Sequence, residues 1–133
     1  MMKPDGVKKG LIGEVIKRFE QRDLKIVALE MFTPEFDKVN DHYPKSEEWI
    51  TRLGNKTLTT YEKYGYDAMK DFGTIEASEI GPEIRKWLID YMTSAPLVKM
   101  VVKGVHAVDV VRKVAGDTMP YKADMGTIRG DFS

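Results

Sequence analysis

The chain has 133 residues, which is enough for one domain with a sizeable core and too few for two of ordinary size. Its 21 lysines and arginines balance its 21 aspartates and glutamates, so no net field draws it to nucleic acid or to an anionic membrane. The absence of cysteine excludes disulfides, thiolate metal ligands and a cysteine nucleophile, and suits a reducing compartment. No signal peptide or apolar run of roughly 20 residues is visible, so we expect a soluble cytoplasmic protein.

The first third of the chain predicts a helix, a strand and a second helix. GLIGEVIKRFEQ has the period of an amphipathic helix that starts soon after Gly6, with an apolar stripe made of Leu11, Ile12, Val15, Ile16 and Phe19. LKIVALEMF alternates in a β-rich run, which indicates a strand buried on at least one face. TPEFDKVNDHY offers Thr33 as an N-cap and Pro34 at the first helical position, so a helix follows.

The rest of the chain begins with an irregular segment and then alternates again. Residues 44–81 mix short helical segments with glycines and tyrosines and show no clear strand, so we predict a helical insertion there. PEIRKWLIDYM resumes a helical stripe, and LVKMVVKG predicts a strand. HAVDVVRKVAG predicts a helix with Gly116 in the capping position, and residues 117–125 predict a loop out of which GTIRGDFS leads.

This alternation of elements predicts an α+β sandwich, with helices packed on one face of a sheet. A ferredoxin-like βαββαβ unit fits if one strand precedes Lys3 and another follows Ser133, so that both lie largely outside the sequence. We therefore predict a single partial domain over residues 1–133, with the helical insertion at about 44–81.

Four polar side chains near predicted turns and helix ends suggest phosphate chemistry. Together, three cations and a hydroxyl suit phosphoryl transfer, in which the protein mostly positions groups and stabilises charge on phosphate oxygens. They are Lys3, Arg112, Thr118 and Arg129. Each also has a plainer interpretation: a solvated turn for Lys3, a solvated helix face for Arg112, a loop residue for Thr118, and an ion-pair partner of Asp131 for Arg129.

The two histidines are weaker candidates. His106 opens a predicted helix, where a neutral imidazole could act as a nucleophile, but it could equally flank the helix start. His42 is a helix-end neighbour of Tyr43, and neither histidine has companions at metal-ligand spacing. We favour structural roles for both.

The aromatic residues of the predicted insertion allow two interpretations: a stacking platform for bases, or a helical subcore or subunit contact. They are Trp49, Tyr61, Tyr64, Tyr66 and Phe72. The balanced charge around them favours the second interpretation.

Four blocks of the sequence resemble, in order and in local spacing, the signature blocks of the nucleoside diphosphate kinase family: KPDGVKKGLIGEVIKRFEQ, HY, TSAPLVKMVVKGVHAVDVVRKVAGDT and GTIRGDFS. The resemblance covers most of residues 2–43 and 87–133, and the middle segment resembles an insertion seen in one prokaryotic branch. It implies transfer of the terminal phosphate of a nucleoside triphosphate to a nucleoside diphosphate through a phosphohistidine. It also implies Mg²⁺ held by the nucleotide phosphates and a homo-oligomer, either a hexamer or a tetramer.

The resemblance also implies roles for five residues by position. Lys3 resembles the lysine that contacts the transferred phosphate, and Tyr43 resembles the tyrosine that helps to place that phosphate and the histidine. The residues that resemble the family's grip on the distal phosphates are Arg112, Thr118 and Arg129.

Parts of the family pattern fall outside this sequence. The family's nucleophilic histidine follows GTIRGDF and one more strand, so the resemblance places it beyond Ser133 and gives its role to neither His42 nor His106. Only Met1 and Met2 stand where the family carries most of a central strand. We therefore expect a fragment truncated at both ends, which is inactive because it lacks the histidine. Because missing strands leave backbone groups unpaired, we also expect this fragment to be marginally stable alone.

Some assignments stay open. Ile84 or Trp87 could be aligned with the family's base-stacking aromatic residue only by choice, so that position is unassigned. A non-catalytic nucleotide-binding or interaction domain that keeps the phosphate-binding residues is the main alternative to the kinase. A phosphotransferase that uses His106 is a third.

Overall fold

The computed structural model describes all 133 residues, and the chain divides into two compact units. Unit 1 comprises Met1–Phe32 and Pro96–Ser133, and unit 2 comprises Thr33–Ala95. The elements in chain order are α1 (Pro4–Lys8), α2 (Ile12–Glu20), β1 (Lys25–Phe32), α3 (Phe36–His42), α4 (Glu47–Tyr64), α5 (Ala68–Phe72), α6 (Ala77–Thr93), β2 (Leu97–Lys103), α7 (Ala107–Ala115), a 3₁₀ turn (Pro120–Lys122) and α8 (Ile128–Phe132). The predicted α+β class is confirmed.

The sheet of unit 1 consists of β1 and β2, which pair antiparallel. Met2 adds a bridge on the other side of β2, where its N–H donates to the Val98 carbonyl at 2.7 Å and its carbonyl accepts from the Val98 N–H at 3.0 Å. The strand predicted before Lys3 is therefore present as a single bridge.

The regular alternation predicted for β1 is interrupted by a bulge. Ile26 pairs with Val102, but Ala28 pairs with Val101, so Val27 is an extra residue in the ladder. Two residues that lie opposite each other in the ladder point to the same face of the sheet. After the bulge, the residues of β1 therefore point to the face opposite to the one that simple alternation predicts, and Leu29 shares a face with Met100. The prediction of a buried strand is wrong for most of β1, since only Ile26 and Phe32 are even partly buried.

Unit 1 has a core between the sheet and helices α2 and α7. Its buried members are Met2, Val15, Phe19, Leu24 and Val98. Two of them come from the predicted apolar stripe of α2, whose opposite face carries charges. The valines on one side of α7 pack against the same core.

Two of the predicted helices differ from the structure. The helix expected soon after Gly6 is split into α1 and α2, because Gly10 takes a left-handed conformation with φ of 71° and ends the first turn. Helix α3 begins at Phe36 with Glu35 as its N-cap, so Thr33 and Pro34 do not open it. Thr33 precedes a proline, which favours extended backbone there.

Unit 2 is built around α4 and α6. The stretch predicted as short helical segments contains the 18-residue α4, and α6 begins at Ala77 and continues through Pro82. The two helices cross closely at two buried glycines. A Cβ at Gly54 would meet the Ala77 backbone, and a Cβ at Gly81 would meet the Ile50 backbone.

The aromatic rings of unit 2 contact one another, as expected of a helical subcore. Tyr61 lies 5.4 Å from Phe72 and 5.5 Å from Tyr66 between ring centroids, and Phe72 lies 5.5 Å from Trp87. These contacts join α4, α5 and α6.

Candidate functional site

A cavity of about 1020 Å³ lies in unit 1, among the chain start, α7 and the chain end. Its lining includes four of the five predicted phosphate-binding residues: Lys3, Arg112, Thr118 and Arg129. Lys3 is more than a hundred residues away in sequence from the other three, and the fold brings all four to one concave surface.

The charge of the cavity is locally positive although the chain as a whole is neutral. Its lining holds four basic side chains, Lys3, Lys9, Arg112 and Arg129, and two acidic ones, Asp5 and Asp117. Low-dielectric walls with an excess of one sign of charge concentrate ions of the opposite sign. The cavity therefore has the electrostatics of an anion site.

Three of the four residues are presented by element ends. Lys3 is the extended residue that precedes α1, and Pro4 stands at the first helical position. Arg112 lies in the last turn of α7. Thr118 follows the end of that helix, which Gly116 closes with φ of 82°.

Arg129 lies in α8 rather than in an irregular exit from the loop. Its Nη1 donates to the Gly116 carbonyl at 2.7 Å, which anchors the guanidinium beside the end of α7. The interpretation of Arg129 as an ion-pair partner of Asp131 is wrong, because Asp131 Oδ2 pairs with Arg18 Nη2 at 2.7 Å.

Other residues of GTIRGDF build the short helix that carries Arg129. Thr127 is the N-cap, and its Oγ1 accepts from the Gly130 N–H at 3.1 Å. Gly130 packs against the Asp124 carbonyl so closely that a Cβ would lie 2.8 Å from its carbon. Gly126 has φ of 87°, a region that favours glycine.

Asp131 ties α8 to α2. Its Oδ1 accepts from the Gly126 N–H at 2.8 Å, and this bond, followed by the contact with Arg18, lowers the pKa of Asp131 below its ordinary 3.8. Arg18 also donates to Glu14 at 2.9 Å and to the Gly126 carbonyl at 3.1 Å, and its guanidinium lies 4.7 Å from the centre of the Phe132 ring. Bonds to Glu14 and then Asp131 raise the pKa of Arg18. This network holds α8 in place.

Tyr43, the fifth predicted residue, belongs to unit 2. It follows α3 as the C-cap, is half-buried, and its ring centroid lies 5.3 Å from that of His42 and 6.1 Å from that of Trp49. Burial raises the pKa of its phenol. Its backbone carbonyl accepts from Arg85 Nη2 at 3.1 Å, a contact that sequence reasoning did not anticipate.

Neither histidine is among the residues that line the cavity of unit 1. His106 is the exposed N-cap of α7 with φ of 49°, makes no side-chain cap bond, and is not among the residues that line the cavity. His42 ends α3 in unit 2 and contacts Tyr43. No group of three or more histidine, aspartate or glutamate side chains is arranged to hold a metal ion.

The two residues considered for base stacking both lie in α6. Trp87 is half exposed, and its Nε1 donates to Glu83 at 2.8 Å.

None of the helices has the length and apolar character needed to span a membrane.

Comparison with known proteins assigns the chain to a family. The nucleoside diphosphate kinase family model matches residues 1–52 and 79–133, which leaves 53–78 unmatched. A nucleoside diphosphate kinase from Pyrobaculum aerophilum is 47% identical over all 133 residues, which cover 73% of that protein. One from Methanothermobacter thermautotrophicus is 37% identical, and the chain covers 67% of it.

Solved structures agree. The crystal structure of an NDP kinase from Pyrobaculum aerophilum matches with a TM-score of 0.90 and 46% identity, over 99% of this chain and 72% of that one. A nucleoside diphosphate kinase from Borrelia burgdorferi, a transition state mimic with bound vanadate and ADP, matches with a TM-score of 0.70 and 33% identity, over 99% of this chain and 62% of that one. These matches confirm the ferredoxin-like fold, and the chain belongs to the nucleoside diphosphate kinase family.

Proposed function

We propose that the protein is a nucleoside diphosphate kinase that works through a phosphohistidine. In the first half-reaction, an imidazole nitrogen attacks the terminal phosphorus of a nucleoside triphosphate. The N–P bond forms as the bond to the bridging oxygen breaks, and a nucleoside diphosphate leaves. In the second, a terminal phosphate oxygen of another nucleoside diphosphate attacks the phosphohistidine and regenerates the imidazole. The membership of the family supports this reaction.

The observation that carries the proposal is the meeting of Lys3, Arg112, Thr118 and Arg129 at one cavity with an excess of positive charge. In the proposed roles, Lys3 contacts the transferred phosphate while Arg112, Thr118 and Arg129 bind the distal phosphates. Positioned cations of this kind stabilise the charge that spreads over the non-bridging oxygens during transfer. Tyr43 is proposed to help place the transferred phosphate and the histidine, on resemblance alone.

Neither histidine of the chain is proposed as the nucleophile. His106 is not part of the cavity lining, and His42 belongs to unit 2. By resemblance, the nucleophile is proposed to be the family's histidine downstream of GTIRGDF, and the 133 residues are proposed to bind nucleotide without forming a phosphoenzyme.

Magnesium is proposed to arrive with the nucleotide. The donor set fits this, because the chain holds no cluster of three or more acidic or histidine side chains for a metal while its cavity offers cations to phosphates. When bound to the nucleotide, Mg²⁺ would neutralise part of the phosphate charge.

Other features of the family complete the proposal. We propose that residues 1–133 form one domain of a cytoplasmic homo-oligomer, a hexamer or tetramer. Its helical insertion, at about 44–81, includes the stretch 53–78 that the family model leaves unmatched.

The test uses ATP labelled at the terminal phosphate, Mg²⁺ and GDP, with this chain and with a form extended past Ser133. We expect labelled GTP and an acid-labile phosphoenzyme from the extended form, and ATP binding without labelling from the 133 residues. Binding without transfer in the extended form would favour a non-catalytic nucleotide-binding domain. Labelling of the 133-residue chain that disappears in His106→Gln would assign the nucleophile to His106 and refute the proposal.

A further inference from the structure

Arg85 of α6 donates hydrogen bonds to four oxygen atoms at the end of α3. Its Nη2 donates to the Asn40 carbonyl at 2.6 Å, to Asn40 Oδ1 at 2.9 Å and to the Tyr43 carbonyl at 3.1 Å. Its Nε donates to the Pro44 carbonyl at 3.1 Å. Three of these acceptors are backbone carbonyls in or just after the last turn of α3, where intrahelical donors are lacking.

The charge of Arg85 is directed at this chain segment rather than at an acidic side chain. No ion pair of Arg85 lies within 4.0 Å, and the nearby Asp41 pairs instead with Lys45 at 2.8 Å. A cation at the carboxyl end of a helix also complements the negative end of its dipole. The contacts of Arg85 therefore serve to hold residues 40–44.

Tyr43 is held at its ring as well as at its backbone. Trp49 of α4 lies 6.1 Å from the Tyr43 ring centroid, and His42 lies 5.3 Å from it at an interplanar angle of 75°. Because α4 and α6 pack together, the ring and the backbone of Tyr43 are anchored to the same pair of helices.

We propose that Arg85 is a positioning residue for Tyr43: by binding the carbonyls of residues 40–44, it sets where the Tyr43 hydroxyl meets a phosphate. The inference rests on the proposed function, which assigns Tyr43 that phosphate contact. A planar guanidinium suits the task because its fixed fork reaches several carbonyls at once, whereas a lysine offers a single point of charge.

The experiment compares Arg85→Ala, Arg85→Lys, Tyr43→Phe and the double variant Arg85→Ala/Tyr43→Phe with the unmodified protein. The matched control is Lys86→Ala, which removes the same charge from an exposed neighbour on α6. Calorimetry measures the affinity for ATP with Mg²⁺ and, as comparisons, for ADP, which lacks the transferred phosphate, and for adenosine, which has no phosphate. NMR measures exchange of the Tyr43 amide, which donates to the Val39 carbonyl at 3.3 Å, without nucleotide.

We expect Arg85→Ala and Tyr43→Phe each to weaken ATP binding about tenfold, with ADP and adenosine unaffected, since a hydrogen bond to a charged group is worth about that factor or more. The double variant should bind no more weakly than either single variant, because both remove one contact. Exchange of the Tyr43 amide should rise about tenfold in Arg85→Ala and stay unchanged in Lys86→Ala. Arg85→Lys, which also serves if Arg85→Ala does not fold, should lose roughly threefold in ATP affinity.

Two results would overturn the inference while leaving the rest of the proposed function intact. One is ATP affinity in both Arg85 variants equal to that of Lys86→Ala, and the other is multiplication of the two single losses of ATP affinity in the double variant. Unchanged ATP affinity in Tyr43→Phe would also overturn it, by removing Tyr43 from contact with the transferred phosphate. Unmodified protein that binds ADP no better than adenosine would refute the proposed function itself.

Discussion

Replacing Gly81 with alanine would place a methyl group against the backbone of α4, where that helix crosses α6. The new Cβ would lie 2.7 Å from Ile50 Cγ2 and 2.8 Å from the Ile50 carbonyl carbon. Carbon atoms pack best at about 3.5–4.0 Å, so the two helices must separate by about 1 Å. Gly54 of α4 approaches the backbone of Ala77 in α6 in the same way, so the two helices are in close contact at both glycines.

The cost can be estimated from two opposing effects. Overpacking costs about 1–3 kcal/mol, and the upper part of this range applies because a backbone cannot rotate away as a side chain can. Alanine recovers about 1 kcal/mol of helix propensity relative to glycine. We therefore expect Gly81→Ala to lower the free energy of unfolding by about 1–2 kcal/mol.

Urea unfolding followed by tryptophan fluorescence measures the free energy of unfolding of unit 2, where α4 and α6 lie. The chain has two tryptophans, Trp49 in α4 and Trp87 in α6, so both report on unit 2. Ser78→Ala is the control, because it introduces alanine at an exposed position of α6 and should leave stability equal or slightly higher. If Gly81→Ala unfolds at the same urea concentration as Ser78→Ala, the close crossing of α4 and α6 is refuted.

Two further predictions concern α8 and its surroundings. Arg129→Lys keeps the charge but loses the planar group bonded to the Gly116 carbonyl. Calorimetry should therefore show ADP affinity reduced about tenfold and adenosine affinity unchanged. ADP affinity equal to that of the unmodified protein would contradict the proposed phosphate role. The pKa of Asp131 is lowered by the Gly126 N–H and by Arg18, so its contribution to stability is complete above the ordinary value of 3.8 and is lost as pH falls through the depressed pKa. NMR titration of the α8 amides should show this acid transition, and its persistence in Asp131→Asn would argue against the assignment.

Local sequence patterns predicted the elements with short-range causes. The apolar stripe of α2 and the capping of α7 by Gly116 depend on residues within a few turns, and both are found. The bulge at Val27 was missed because one extra residue in a ladder is defined by the partner strand, here Val101 and Val102 of β2. Alternation in β1 alone contains no signal of it.

Contacts distant in sequence explain the remaining differences. Arg85 reads as one more charged position on an amphipathic helix, but its hydrogen-bond partners lie 41 to 45 residues earlier in the chain. The ion pair of Arg18 with Asp131 likewise joins α2 to α8, so proximity in sequence wrongly paired Asp131 with Arg129. The cavity residues could be named from the family resemblance, but their meeting at one surface is a product of tertiary structure.

The segment GTIRGDF shows why a specific motif need not consist of residues that touch a ligand. Thr127, Gly130 and Asp131 are each explained by a contact inside the protein: an N-cap, a close approach to the Asp124 carbonyl, and an ion pair with α2. Arg129 lines the cavity, and its guanidinium is anchored by the Gly116 carbonyl. Since Thr127 also lies against Gly116, where a Cβ on the glycine would strike its side chain, the end of α7 and the start of α8 constrain each other. The motif therefore specifies the position of one cation through several residues whose contacts lie inside the protein. With Arg129 in its proposed phosphate role, substituting those residues should weaken nucleotide binding only as far as α8 moves.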